Sequence, residues 1–398
     1  YAMNVCGAIL GSVVAGFLLL PRLGGQGSLV AIAATNLLCG LVLLAALPPG
    51  RRVFAAVAGA VGAALFLATS LAAPDPHLVA LRWRYPGEQL LWREEDAQLT
   101  VSVHLREDGA RLLYLDGIHQ ADDSPGVLRF HRLLGQLPLA LHPAPRRALV
   151  VGLGGGATAG AMSRQPGLEI DVVELSTALV HGADQLRHAN NDVLRQPNVR
   201  LRIDDGRNYL LLTPQRYDVI TADIIRPFHA GAGNLYSAEY FRLASDALTD
   251  DGLMVQWVDT SSETQYRLIV RTFMSVFPNT TVWSDGRLLI GAKGPLRPAA
   301  DGQARALREP AAREALEALG AGGDGALLSL CTAGPDGLRR YVGPGPLLTD
   351  DRPMIEYFLT LPRDDRPVDL DRLRGDEGRA GRCVAVPGDA PPAGRQPD

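Results

Sequence analysis

Acidic residues close three successive apolar runs that follow a glycine-rich stretch, and their spacing is the first chemical signal in the chain. Ala148–Gln165 reads ALVVGLGGGATAGAMSRQ, an apolar run that passes into glycines and then into a helix-like segment. Gly152, Gly154 and Gly156 let a backbone turn sharply and approach a ligand where a Cβ would obstruct it. The next run, IDVVEL, carries Glu174 about twenty residues past the loop, where a carboxylate can accept both ribose hydroxyls. VRLRID leads into Asp204-Asp205-Gly206, and a carboxylate there can accept from an adenine amino group. YDVITAD ends on Asp223. The stretch Gly152–Ala157 also satisfies the dinucleotide pattern GxGxxA, so the loop alone does not separate NAD from other nucleosides. Acids at three strand ends, with no lysine or arginine in the glycine loop, suit a cationic ligand without phosphates. A pyrophosphate would want positive groups there, and a sulfonium nucleoside negative ones.

These residues need a sheet to hold them in a row. ALVVGL, IDVVEL, VRLRID, YDVITAD and GLMVQWV are short apolar runs of the kind buried in a parallel sheet, and helical patterns separate most of them. TTVWSDGRLLIGA adds a closing antiparallel hairpin with Asp285-Gly286 at its turn. The expected fold is α/β: a doubly wound, Rossmann-like sheet of the methyltransferase type over residues 147–293, with ligands at the carboxyl ends of the strands. Upstream, QLTVSVHL and ARLLYLDG alternate around Glu107-Asp108-Gly109, which predicts a small N-terminal β-hairpin domain within residues 75–146. Val127–Leu141 has helical spacing. Residues 294–362 read as a helical extension, with one helix over Gln303–Leu319 and an ordered return at LLTDDRPMIEYF. Residues 363–398 read as a disordered tail too poor in apolar residues to offset ordering entropy.

Residues 1–74 differ in kind. Ala2–Leu20, Ser28–Leu47 and Val53–Ala73 are nearly charge-free and each is about the ~20 residues that cross a bilayer as a helix. Small residues in AILGSVVAG and AAVAGAVGAA allow close helix contact in lipid. Three transmembrane helices are therefore expected, and a start inside a span predicts a longer parent protein. Arg22 lies between the first two runs, Arg51 and Arg52 between the next two, and Arg82, Arg84 and Arg93 after the third. The last group, together with the need for cytosolic metabolites, favours an integral inner-membrane protein with a cytoplasmic catalytic domain. A net charge of −4 over 398 residues argues against a nucleic-acid partner. Cys6, Cys39, Cys331 and Cys383 are widely spaced, which predicts reduced thiols, and the eight histidines show no metal-binding spacing.

The ordered motifs LLYLDGIHQ, RFHRLL, VVGLGGG, DVVEL, DDGRNYL, YDVITAD, NLYSAEYF and GLMVQW resemble the spermidine synthase (polyamine aminopropyltransferase) family, from Gln98 to Lys293, and the leading spans resemble its membrane-fused bacterial members. The resemblance implies transfer of an aminopropyl group from decarboxylated S-adenosylmethionine to a polyamine-type acceptor such as putrescine, with no prosthetic group. It implies that Gln98 contacts the nucleoside and that Asp116 and Gln120 belong to the LDGxxQ element. Glu174 would hold the ribose and Asp205, beside Asp204, the adenine. Asp223 would take the proton of the attacking amine, with Tyr236 beside the acceptor. Members of the family often dimerise, which leaves a homodimer open. From the chemistry alone, the sulfonium supplies its own leaving group, so the protein must align an amine and keep it unprotonated, and a carboxylate in reach suffices.

The departures from the family gather on the amine side. Ala157 stands where the glycine loop normally continues with aspartate, Arg226 where a second acid follows Asp223, and Gly126, Val127, Phe130 and Arg132 where the DExxYHE element has its acids and tyrosine; His131 of that element remains. Loss of two carboxylates and one added repulsion, at ~1 kcal/mol each, would weaken diamine binding about a hundredfold. Intact S-adenosylmethionine, whose carboxylate could meet Arg226, then becomes an alternative donor, and with it a methyltransferase. A non-catalytic nucleoside-sensing membrane protein is the third reading. The segment FHAGAGN, Phe228–Asn234, has the glycines of a lid.

Overall fold

A computed structural model of the chain describes residues 1–45, 48, 52–72, 74–223, 231–296, 304, 307–308, 310–317, 322–323, 326–357, 361, 366–375 and 383. The chain divides into two units, Tyr1–His119 and Gln120–Asp398.

In the first unit the apolar runs are helices: α1 (Ala2–Val14), a π-helical turn (Ala15–Leu19), α2 (Leu20–Ala45) and α3 (Arg52–Ala72). Two stretches, Ala2–Leu44 and Val53–Ser70, are long and apolar enough to cross a membrane, with mean hydropathies of 2.1 and 2.0. The first of them carries the first two predicted runs, divided at Gly24, which leaves helical geometry at φ 65°, ψ −177°. The side chain of Glu95 accepts from the Gly25 N–H at 2.7 Å beside that break. Small residues bring α2 and α3 together: a Cβ on Gly59 would come within 2.7 Å of Leu41. A short helix, α4 (Pro76–Arg84), follows, then β1 (Gln89–Glu95), β2 (Thr100–Leu105), β3 (Arg111–Leu115) and β4 (Ile118–Asp122). They form a four-stranded sheet in the order β1-β2-β3-β4, in which β1–β2 and β2–β3 are antiparallel. The predicted hairpin is its centre. The outer strands escaped the sequence because β1 has no alternating burial and β4 is only five residues long.

The second unit begins with α5 (Pro125–Leu141) and continues through β5 (Arg147–Val151), α6 (Ala157–Met162), β6 (Glu169–Glu174), α7 (Thr177–Asp184), β7 (Val199–Ile203), α8 (Gly206–Leu212) and β8 (Tyr217–Ala222). After these come α9 (Ala238–Ala247), β9 (Leu248–Trp257), α10 (Glu263–Val276), β10 (Thr281–Trp283), β11 (Leu288–Ala292) and β12 (Cys331–Ala333). The sheet order is β12-β10-β11-β9-β8-β5-β6-β7. The five strands β7, β6, β5, β8 and β9 are parallel, and the predicted hairpin β10–β11 closes the sheet antiparallel. Alternate residues of β5 enter different cores, Leu149 and Val151 with Tyr217, Phe241 and Phe273, and Ala148 and Val150 with Ile170, Val172 and Val219. A strand buried on both faces reads as a continuous apolar run, which is why β5 and β8 were legible. Because β6 lies on one side of β5 and β8 on the other, the glycine loop after β5 sits where the winding reverses.

Two expectations need correction. Cys331 and Cys383, predicted to be reduced thiols, form a disulfide, 6.1 Å between Cα atoms, whereas Cys6 and Cys39 are free. The two are separated by 52 residues, and β12 and the tail meet only in the fold, so spacing could not pair them. Part of the predicted disordered tail is ordered: Leu370–Arg374 is helical, and Val368 and Leu373 are buried in the core beside α10. Those few apolar residues suffice because the Val368 N–H also donates to the Thr260 carbonyl. Of the predicted helix Gln303–Leu319, the structure describes Pro310–Glu317 as helix.

Candidate active site

The glycine loop is shaped by its backbone angles. Gly152, Gly154 and Gly156 have φ of 84°, 53° and 81°, the left-handed region that side chains disfavour. A Cβ on Gly156 would also lie 2.8 Å from Asn190 Nδ2. Asn190, buried in the second unit, donates to the carbonyls of Gly155 at 3.0 Å and Ala183 at 2.9 Å and so pins the loop from behind. Nothing in the sequence marked it.

Glu174 stands at the end of β6, buried, with each carboxylate oxygen accepting one backbone N–H: Leu153 at 2.9 Å and Ser176 at 3.0 Å. The carboxylate is thereby fixed against the glycine loop. Asp204 follows β7 and accepts from Asp205 N at 2.8 Å and Asn208 Nδ2 at 3.0 Å. Asp205 is the exposed N-cap of α8, with Oδ1 taking the N–H groups of Arg207 and Asn208. Arg207 is held by Asp350 from the far end of the unit, which keeps its charge turned to that partner.

Asp223 follows β8 directly, its N–H donating to the Val151 carbonyl at 3.1 Å, so the strand ladder sets its position beside the glycine loop. Its Oδ2 receives two side chains: His131 Nδ1 at 3.1 Å and Thr158 Oγ1 at 2.7 Å. Thr158 has one proton to give, and the shorter contact is with the carboxylate rather than with the His131 carbonyl at 3.1 Å. Burial disfavours the charged form of both partners, but mutual attraction and hydrogen bonding outweigh it. The imidazole of His131 is raised above its ordinary value and the Asp223 carboxyl held below its own. His131 is therefore tied to the site and is not a self-contained core histidine.

The packing of α5 on α6 makes this contact. A Cβ on Gly135 would come 2.8 Å from the Thr158 carbonyl and 2.8 Å from Met162, and Gln136 Nε2 donates to the Ala161 carbonyl at 2.6 Å. His131, one turn before Gly135 on the same face, is thereby brought against Thr158. Ala157 is buried and lines a small pocket with Asp122, Asp123, Leu128, His131 and Leu186. Asp122 accepts from Ser124 N and its hydroxyl, and Asp123 pairs with His188 at 2.8 Å.

The remaining predicted residues are scattered. Gln98 and Asp116 belong to the first unit: Gln98 is exposed in a turn whose N–H groups bond Asp96, and Asp116 accepts from Thr100 N at 2.8 Å at the tight β3–β4 turn. Gln120 is half-buried on β4. Tyr236, placed by the resemblance beside an acceptor, is fully buried in the core with Tyr240 and Phe241. Arg226 and the first half of the predicted lid, 228–230, lie outside the described residues.

Comparisons with known proteins point to one family. A spermine/spermidine synthase domain model matches residues 127–280. The polyamine aminopropyltransferase of Aeropyrum pernix is 31% identical over 48% of this chain and 64% of its own. That of Moorella thermoacetica is 30% identical over 48% of this chain and 68% of its own. The chain spans only 54% to 64% of the length of several such curated relatives. A solved spermidine synthase in complex with the transition-state analogue AdoDATO is 21% identical, covering 52% of this chain and 74% of its own, with a TM-score of 0.48. The matched segment holds the glycine loop, the acidic strand ends and the His131–Asp223 pair, and one relative is covered over two thirds of its length at 30% identity: the chain belongs to the spermine/spermidine synthase family.

Proposed function

We propose that the chain is a membrane-anchored aminopropyltransferase that moves the aminopropyl group of decarboxylated S-adenosylmethionine to a polyamine-type acceptor. The observation that carries this reading is Asp223, a buried carboxylate kept ionised by His131 and Thr158 beside a glycine loop. The sulfonium carbon is attacked by the amine nitrogen, the C–S bond breaks, and the thioether nucleoside leaves with the bonding pair. The extra proton on the new secondary amine passes to Asp223, which is ready to receive it because its charge is already paid for by the fold. Glu174 holds the ribose and Asp204 and Asp205 the adenine, while Gln120, His131 and Arg226 serve the nucleoside tail and acceptor. Two apolar helical stretches supply the anchor. The need for a cytosolic nucleoside puts the catalytic unit on the cytoplasmic side, while the Cys331–Cys383 bond favours an oxidising one. Labelling with a membrane-impermeant thiol reagent in intact cells, before and after reduction, separates the two.

The test is product analysis by mass spectrometry on the full chain in detergent, offering decarboxylated and intact S-adenosylmethionine with a panel of di- and polyamines. An acceptor gaining an aminopropyl group, with turnover lost about 10²–10⁴-fold in Asp223→Asn while nucleoside binding persists, is the expected result. A gained methyl group would establish the methyltransferase instead, and nucleoside binding without any product would establish the sensor.

A further inference from the structure

Helix α4 (Pro76–Arg84) has two unlike faces. His77, Leu78 and Leu81 turn toward the small sheet: Leu81 is buried, and a Cβ on Gly117 would lie 3.4 Å from Leu81 and 3.8 Å from His77. On the opposite face Val79 and Trp83, one turn apart, are 47% and 89% exposed. Arg82 and Arg84, each one residue from Trp83 and so about 100° round the helix from it on either side, are exposed as well, Arg84 with its Nε donating to the Tyr85 hydroxyl at 3.1 Å. The helix contains no acidic residue, so this face is apolar at its middle and cationic at its edges.

The helix cannot swing this face away. Asp75 caps its first turn, accepting from His77 N at 2.8 Å, and is paired with Arg93 of β1. At the other end Tyr85 donates its hydroxyl to the Gly117 carbonyl at 3.1 Å. The apolar helix α3 ends at Ala72, four residues before Pro76. At ~3.5 Å per residue the start of α4 lies no more than about 14 Å from the end of α3. Tryptophan and arginine side by side are the residues that settle at a bilayer surface, the indole at headgroup depth and the guanidinium on phosphate.

We propose that α4 lies flat on an anionic phospholipid surface, with Trp83 and Val79 at the headgroup–acyl boundary and Arg82 and Arg84 on lipid phosphates. The proposal rests on the reading that the apolar helices cross a membrane, and it adds a second, lateral contact that fixes the small sheet against the bilayer.

The full chain is reconstituted into vesicles of phosphatidylcholine, with and without phosphatidylglycerol, whose acyl chains carry bromine near the glycerol end. Subtracting the emission of Trp83→Phe, a change at an exposed position, isolates Trp83. Its emission is expected to be blue-shifted and to lose most of its intensity to the bromolipid, more so with the anionic lipid, and Arg82→Glu/Arg84→Glu should abolish the difference between the two lipids. An indole that emits as in water and is quenched by aqueous iodide instead overturns the proposal, as does quenching that is the same in both lipids. Extraction with alkaline carbonate tells the two readings apart. A chain that stays in the membrane with an aqueous Trp83 keeps its spans and refutes the surface contact, whereas a chain that is released refutes both.

Discussion

His131 Nδ1 lies 3.1 Å from Asp223 Oδ2, and these two residues, 92 positions apart, form a largely buried ion pair at the end of β8. The contact settles how a carboxylate stays ionised with little water around it. Desolvation alone would push the Asp223 carboxyl up and favour its neutral form. The His131 imidazole and the Thr158 hydroxyl, both on Oδ2, offset that cost. Under the proposed function, the neighbour that stabilises the Asp223 carboxylate would also lower its basicity, so transfer would depend on the acidity of the newly alkylated ammonium. A secondary ammonium next to a leaving thioether is acidic enough only if it too is held away from bulk water.

The pair has a signature in pH. His131 is raised above 6.5 and Asp223 lowered below 3.8, so the contribution of the pair to stability is whole between those two values. It is lost as pH falls through the lowered Asp223 value, and lost again as pH rises through the raised His131 value. The difference in thermal stability between the wild type and His131→Gln should therefore be largest in mildly acidic buffer and shrink on the alkaline side. A difference that stays constant from about pH 5 to about pH 9 would show that His131 is neutral in the folded protein.

Thr158 gives a second handle on the same oxygen. Thr158→Val removes a donor to Asp223 Oδ2 at nearly constant volume, at a cost of ~1 kcal/mol to the ionised form, so the Asp223 pKa rises. The acidic limb of the rate–pH profile should move to higher pH, and Thr158→Ser should restore it. A lowered rate with an unmoved acidic limb would assign Thr158 to packing alone.

Some of this site was legible in one dimension and some was not. Glu174 and Asp223 could be found because each ends a strand that is mostly buried, and such strands announce themselves as apolar runs, whereas Asp204 follows the half-exposed edge strand β7, where Val, Leu and Ile still alternate with arginines. Thr158 and Asn190 could not, because their roles consist of hydrogen bonds to partners 65 and 35 residues away, and a threonine or asparagine has no periodicity of its own. The same holds for Cys331 and Cys383, brought together by a strand of three residues and a tail whose few apolar side chains are buried. Glutamine at position 98 and aspartate at position 116 could be named from the resemblance, while the structure accounts for them locally as turn residues of the small sheet.

Ala157 tests the acceptor side. It lines the pocket that also holds His131, at the position where the family resemblance places an aspartate. If that pocket receives the amine end of a substrate, Ala157→Asp should lower the KM for a diamine by about fivefold, the equivalent of ~1 kcal/mol, with kcat nearly unchanged. Steady-state kinetics over a series of diamine lengths would show it. An unchanged KM for every amine would place acceptor binding elsewhere and make the alanine a packing residue.

Gly135 links packing to the site. Its Cα faces the carbonyl of Thr158 so closely that an alanine methyl would sit 2.8 Å from that oxygen and 2.8 Å from Met162. Neither the backbone of α6 nor a methionine fully enclosed by the core of Leu139, Val150 and Ile170 can yield freely. Gly135→Ala should therefore push α5 outward, at a cost of about 1–3 kcal/mol that the better helix propensity of alanine recovers only in part. Because His131 is one turn away on the same helix, the shift should also stretch its contact with Asp223 beyond hydrogen-bond length. The imidazole pKa, followed by NMR, should then fall back toward 6.5. Urea denaturation of the same variant would supply the stability cost. A variant that loses stability yet keeps a raised His131 pKa would show that the pair is positioned by α5 as a whole and not by the close approach at this one glycine.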